Sequence, residues 1–163
     1  MHIRQAERAP YGRGNKTIVD TAVRKVWQIA PSKVRIGGKS WAANFETILL
    51  KVSAVLGCDG IAISAEFSVL LVYDRDGFFF ESRHREDGRH VRDACRHVAS
   101  AHRVGELRIR HSGREVTVDT SSAEFSELSY VAFYADCEHE ARPVQEGNRV
   151  CPGLQPRSET REE

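Results

Sequence analysis

One stretch of helical periodicity followed by a succession of short β-type runs limits what this chain can fold into. From Ser40, placed as an N-cap, the residues Phe45, Ile48, Leu49, Val52, Val55 and Leu56 recur at three- and four-residue intervals. That is the apolar stripe of a helix lying against a sheet, and Gly57 can end it. Beyond Gly60 the pattern changes. Ala65 to Tyr73 is apolar and rich in β-formers, Asp74 to Gly77 is a turn, and Phe78-Phe79-Phe80 is a second run. Gly105 to His111 is a third run, and Ser112-Gly113 is a hairpin signal answered by Glu115 to Asp119. Tyr130 to Ala135 and Asn148 to Cys151 complete the set. Thr17 to Ile29 reads as a strand or an irregular edge segment. One helix followed by many short antiparallel strands predicts an α+β, mainly β fold, a helix-backed sandwich or jelly roll.

With 163 residues the chain has the length of one domain. Residues 1–16, with Pro10, Gly12 and Gly14, read as an irregular lead-in, 17–151 as the domain, and 152–163 as a polar, disordered tail. The net charge of +1 gives no general case for nucleic acid or an anionic membrane. Mean hydropathy is −0.45, and the apolar run Phe67 to Tyr73 is too short to span a bilayer. The charged N-terminus lacks the apolar core of a signal peptide. Cys58, Cys95, Cys137 and Cys151 show no close pairing, so they are read as reduced thiols of a cytoplasmic protein. C-x-x-C is absent, which argues against a zinc site built from the cysteines.

The chemistry-bearing residues cluster in the second half. His139 follows a β run, and Arg149 stands ten positions later across Pro143 and Gly147-Asn148. In a hairpin, that spacing can bring an imidazole and a guanidinium to one end of a shared pocket, a metal ligand beside a clamp for a small dicarboxylate. His84 and Glu86, spaced i, i+2 on an extended segment, would point to one face. With a distant histidine they make the two-histidine, one-carboxylate set that holds iron(II) with open positions. Each part also has a plainer reading. His84-Arg-Glu86 alone is a solvated charged loop, His139 a surface histidine at a strand end, and Arg149 a surface arginine on an edge strand.

Several motifs carry a resemblance over about Ala9 to Cys151. They are Leu70-Leu-Val-Tyr73-Asp with Gly77-Phe-Phe, His84-Arg, Gly105-Glu-Leu-Arg-Ile-Arg-His-Ser-Gly113, and Ala132-Phe-Tyr-Ala-Asp-Cys-Glu-His139-Glu with Pro143-Val and Gly147-Asn-Arg149. The chain resembles the iron(II)- and 2-oxoglutarate-dependent dioxygenases, specifically the prolyl 4-hydroxylase alpha-subunit type of oxygenase domain. The resemblance implies a double-stranded β-helix (jelly roll) backed by an N-terminal helix. It implies iron held by His84, Glu86 and His139, 2-oxoglutarate held by Arg149 with Tyr73 nearby, and ascorbate as a supporting reductant. The implied partners are the small-molecule cosubstrate, O2 and an unidentified substrate, without nucleic acid or membrane.

Two stretches depart from the family pattern. Glu86 stands where aspartate is expected, with Asp87 next to it as the alternative carboxylate ligand, and Arg85 to Arg103 is basic and histidine-rich where an apolar inner strand should run. Val91, Ala94, Cys95 and Val98 have helical spacing, so this stretch is expected to be an amphipathic helix, with His90, His97 and His102 on a solvated face. Acidic interruptions and the lack of an aromatic stacking platform argue against a basic nucleic-acid helix. After Cys151 the final strand is expected to be missing. Permitted codons for Glu86 to Ala99, read one nucleotide later, encode KTDGMFGTLVVTLP, and those for Pro152 to Arg157 encode RAYNLV. Both look like the missing strands, which points to local shifts of reading frame. The expected consequence is a weakened fold with low turnover, or a catalytically inactive remnant acting at most as a binding module.

Overall fold

The computed structural model describes residues 6–13, 16–35, 37, 39, 41–55, 57, 62–80, 95–98, 101–121, 129–134 and 136–159. Within them the strands are β1 (Glu7–Arg8), β2 (Tyr11–Arg13), β3 (Lys16–Ile18), β4 (Arg24–Lys25), β5 (Trp27–Ile29), β6 (Ala62–Tyr73), β7 (Phe78–Phe79) and β8 (Cys95–Val98). They continue with β9 (His102–Val104), β10 (Leu107–His111), β11 (Arg114–Val118), β12 (Ser129–Val131), β13 (Glu138–Ala141), β14 (Val144–Gly147) and β15 (Arg149–Glu159). The one α-helix among the described residues is α1 (Trp41–Val55). It falls within the expected Ser40 to Leu56, and Gly57 follows it with a φ of +66°, the left-handed exit that favours glycine. No helix among the described residues is long and apolar enough to cross a membrane.

The strands form two large antiparallel sheets and two small ribbons. One large sheet has six strands in the order β1-β5-β6-β15-β8-β12, and the other has five in the order β11-β10-β13-β7-β4. β14 pairs with β9, and β2 with β3. The large sheets face each other. Leu71, Tyr73 and Cys151 from the first pack in one buried cluster with Phe79 and Ala141 from the second. The result is a mainly β, jelly-roll-like sandwich, and burying the apolar face of each sheet against the other is what makes it stable.

The chain passes between the sheets at short corners, one of them buried. Val26, fully buried, separates β4 of one sheet from β5 of the other, and its carbonyl accepts the Ala9 amide at 2.9 Å. The expected turn Asp74 to Gly77 links β6 to β7, with the Gly77 amide on the Asp74 carbonyl at 2.8 Å. A Cβ at Gly77 would lie 2.7 Å from that same carbonyl oxygen, so only glycine closes this turn.

A β-bulge divides the core in two. β15 pairs with β6 along its whole length, but Gly153 faces Val69 while Leu154 faces Phe67, which leaves Ser68 unmatched. On one side of this shift Leu71, Tyr73 and Cys151 look into the sandwich. On the other, Ala65, Phe67 and Leu154 turn to the opposite face and pack against Phe45, Ile48 and Val52 of α1. The helix is thus seated on the back of the six-stranded sheet, as its apolar stripe requires.

Four expectations need correction. The lead-in is not irregular throughout, because β1 pairs with β5, and Ala9 and Tyr11 are buried in the core. Thr17 to Ile29 is cut into three short strands rather than one. Cys95–Val98 is not helical: it forms β8, paired with β15 and β12, so tertiary pairing overrides the local helical spacing. The final strand is not missing either, since 152–159 continue β15 against β6. Pro152 and Pro156 have the same parity, so both lack an N–H on the same side of the strand. On its second side β15 pairs with β8 only at Gly153 and Leu154, so neither proline lies in that contact.

Gly147 controls the entry to β15. Its φ is +76°, and an added Cβ would meet the Ala101 carbonyl oxygen at 2.4 Å. Gly147→Ala should therefore cost about 2 kcal/mol or more in urea-induced unfolding. A loss within a few tenths of a kcal/mol would show that the β14–β15 turn tolerates a side chain.

Candidate functional site

β13 places His139 by simple alternation. On one face of the β10–β13 ladder Arg108 lies opposite Glu140, and Arg110 opposite Glu138. Glu140 there draws Arg108, Arg142 and Arg110 to 3.6, 3.7 and 3.9 Å. His139 and Ala141 take the other face, opposite Ile109 and Leu107, and Ala141 belongs to the inter-sheet core. The His139 ring sits between two phenyl rings, 5.0 Å from that of Phe133 and 5.5 Å from that of Phe79. His139 is thus half-buried and inward-facing within a strand, not a surface histidine at a strand end. The run expected to lead into it, Tyr130 to Ala135, is strand only at Ser129–Val131.

Arg149 opens β15 in the facing sheet, paired with Tyr73 at the end of β6. His139 and Arg149 therefore do not share a hairpin. They are carried by opposite sheets and meet the same core cluster, His139 through Phe79 and Arg149 through Tyr73. Arg149 is 1 % exposed, and its guanidinium carbon lies 4.2 Å above the Tyr73 ring. Among the described residues no carboxylate pairs with it. Its Nη1 donates a short hydrogen bond to the Gly105 carbonyl, and its Nε–H is buried without a hydrogen-bond partner. Burial opposes its charge. The Cys151 thiol and Tyr73 hydroxyl beside it outweigh burial and hold its pKa above the ordinary arginine value. Arg149 is a cation throughout.

The carbonyl that holds Arg149 is itself held. Thr120 Oγ1 donates to the same Gly105 oxygen at 3.0 Å, and His102 Nε2 stands 3.5 Å from Thr120 Oγ1. His102 and Thr120 are 2 % and 3 % exposed, so this polar chain is sealed from water. The backbone that presents the carbonyl is unusual. Gly105 has a φ of +90°, and Val104 before it a φ of +62°. For a β-branched residue the left-handed region is an outlier. His102 corrects an expectation as well: it is a buried member of β9, not part of a solvated helical face. Thr120 and the Gly105 carbonyl were not singled out in the sequence, because one is a lone threonine and the other a backbone group.

The remaining expected ligands, His84 and Glu86, lie outside the described residues, as does Asp87. His139 belongs to no group of three metal-ligating side chains among the described residues. For a carboxylate cosubstrate the donor set fits: an uncompensated, buried guanidinium with an orphaned N–H. For a metal the described residues supply one inward imidazole.

No family model matches the sequence, and no curated protein matches it significantly. Among solved structures the chain is similar to a Pseudomonas putida prolyl-4-hydroxylase, with a TM-score of 0.52 and 19 % identity over 91 % of this chain and 75 % of that one. At that identity the likeness shows the fold alone.

Two variants test the clamp. Arg149→Met removes a buried charge without a counter-ion while keeping volume, so unfolding stability should stay level or rise by about 1 kcal/mol. A clear loss would mean that Arg149 is a structural anchor. Thr120→Val leaves Gly105 with one donor fewer and should cost about 1–2 kcal/mol, read from the urea midpoint.

Proposed function

We propose that this chain is an iron(II)- and 2-oxoglutarate-dependent dioxygenase of prolyl 4-hydroxylase-like type, hydroxylating an unidentified substrate. The observation that carries the reading is Arg149, a buried cation with a free N–H and no acidic partner among the described residues. A carboxylate supplies what this group lacks, through charge-assisted hydrogen bonds in a water-poor interior.

In this reading Arg149 binds the distal carboxylate of 2-oxoglutarate through Nε–H and its remaining amino group, since Nη1 is engaged by Gly105. Tyr73 stacks beneath the guanidinium and fixes its plane. His139, flanked by Phe79 and Phe133, is one metal ligand, and His84 and Glu86 are the other two. Bound iron(II) with 2-oxoglutarate and O2 would supply the oxidation of an unactivated C–H bond, with ascorbate keeping the metal ferrous. The protein's own contribution is to hold the cosubstrate in one orientation and to shield the reacting centre.

A second reading, an inactive remnant that still binds ligand, is favoured by Glu86 in place of the expected aspartate. One titration separates the two. Under anaerobic conditions, iron(II) and 2-oxoglutarate together should give a visible charge-transfer band, lost in His139→Ala and in Arg149→Met. Iron-dependent succinate formation in air would establish the dioxygenase, and the band without succinate would establish the remnant. A band that survives His139→Ala would overturn the site.

A further inference from the structure

We propose that His111, Asp136 and Cys137 form a second metal site, at the rim of the five-stranded sheet, that takes a zinc-type divalent cation. The sheet register brings the first and last of these together. β10 and β13 pair with Leu107 opposite Ala141, Ile109 opposite His139 and Arg110 opposite Glu138. Carried one step further, the same register sets His111 opposite Cys137, where the β10–β11 hairpin meets the turn leading into β13. Asp136 is the neighbouring residue of that turn.

The donor atoms converge. One ligand atom from each of the three residues lies within 4.8 Å of the others. His111 Nδ1 is 3.9 Å from Asp136 Oδ2, and Cys137 Sγ is 4.0 Å from Asp136 Oδ1. In a tetrahedral zinc site with N, O and S ligands, neighbouring donor atoms stand roughly 3.3–3.6 Å apart. No pair exceeds 4.8 Å, so closing on an ion takes a contraction of at most about 1 Å, within reach of side-chain rotation. His111 and Asp136 have about half or more of their side chains exposed, 52 % and 64 %, and are free to make it.

Donor chemistry selects the ion. A thiolate with an imidazole and one carboxylate suits zinc and disfavours magnesium and calcium, which prefer oxygen alone. Three protein ligands leave the fourth position open to water. A surface cleft bordered by His111, Ser112, Asp136 and Glu138 gives it room. The charge balance allows a cation. Arg110 and Arg114 line the same cleft, but so do Glu115 and Glu138, and Arg110 is paired with Glu115 at 2.5 Å. The Ser112-Gly113 turn also holds His111 in place, with φ of +48° and +77° closing a tight two-residue hairpin. A bound ion would tie this hairpin to the start of β13, the strand that carries His139. The site is independent of the proposed iron centre, because it shares no ligand with it.

Cobalt(II), which substitutes for zinc and reports its ligands by absorption, gives the test on the full chain. Both the unmodified protein and His139→Ala should show a near-ultraviolet thiolate-to-metal band and intense visible bands of tetrahedral type, and His139→Ala, which lacks the proposed iron site, should bind one cobalt. Zinc(II) should displace it. Cys137→Ser should abolish the near-ultraviolet band, and His111→Gln should weaken binding at least about tenfold. Both variants lie on exposed or half-exposed turns, and circular dichroism checks that they stay folded. In the His139→Ala background zinc should raise the melting temperature, and adding Cys137→Ser should abolish that rise. A thiolate band that persists in Cys137→Ser would assign the metal to Cys58, Cys95 or Cys151 and overturn the proposal. Loss of the band in His139→Ala, or no thiolate band at all, would overturn it equally. Iron and 2-oxoglutarate binding in Cys137→Ser reads the other site separately.

Discussion

Arg149 is a full positive charge with 1 % of its surface exposed and, among the described residues, no carboxylate beside it. A buried charge of this kind is among the costliest things a small domain can carry. Much of the surrounding structure accommodates it. Gly147, in the left-handed region, turns the chain so that Arg149 opens β15. β6 ends at Tyr73 directly opposite and gives the guanidinium an aromatic face. Val104 and Gly105, both at positive φ, direct a carbonyl to Nη1, and Thr120 holds that carbonyl from a second direction. A left-handed valine costs about 1–2 kcal/mol, so the chain spends stability to place one oxygen.

Parts of this arrangement were legible because they are local. The helix shows as a stripe, Ser112-Gly113 as a hairpin turn, and the Asp74 to Gly77 turn as punctuation between two apolar runs. His139 and Arg149 were recognisable as a pair, but not by the right geometry. A ten-residue spacing suggested a hairpin, whereas the chain passes through β14, paired with β9, and returns in the opposite sheet. What was not legible depends on distant partners. Cys95–Val98 has helical spacing and no strand signal of its own, yet it lies between β15 and β12. The stretch from Pro152 looked unable to form a strand because it is polar and holds two prolines. It is strand because β6, long and apolar, offers it a ladder on one side. The clamp behind Arg149 was invisible for a different reason. Its centre is a backbone carbonyl, which has no letter in a sequence.

The bulge at Ser68 has an architectural consequence. Without it, one face of β6 would carry Phe67 in line with Val69, Leu71 and Tyr73, and the end of β6 beneath the helix would present Ser64, Glu66 and Ser68 instead of Ala65 and Phe67. With one unmatched residue, the same alternation serves two cores in turn. The Tyr73 end belongs to the inter-sheet interior, where Arg149 sits. The Ala65 end belongs to the helix. The candidate site is therefore shielded by the facing sheet and not by α1, so a change in helix packing should be felt at Leu154 and Phe67 before it is felt at Arg149.

The β10–β13 ladder shows how much chemistry one register can distribute. Its outward pairs are ionic, arginine against glutamate. Its inward pairs change character along the strand. Leu107 and Ala141 are core, Ile109 and His139 add an imidazole among phenyl rings, and the next step, His111 with Cys137, reaches solvent. Successive pairs on one face lie about 7 Å apart, so two imidazoles on neighbouring strands are held at different depths by backbone hydrogen bonds alone. The inner one is half-buried and has aromatic neighbours. The outer one is wet and has a thiol and a carboxylate. A slip of β13 by one residue would carry His139 to the ionic face and bring Glu138 and Glu140 inside, while His111 on β10 kept its place. Glu140, already buried, would lose the arginines around it, and that penalty makes the register hard to lose.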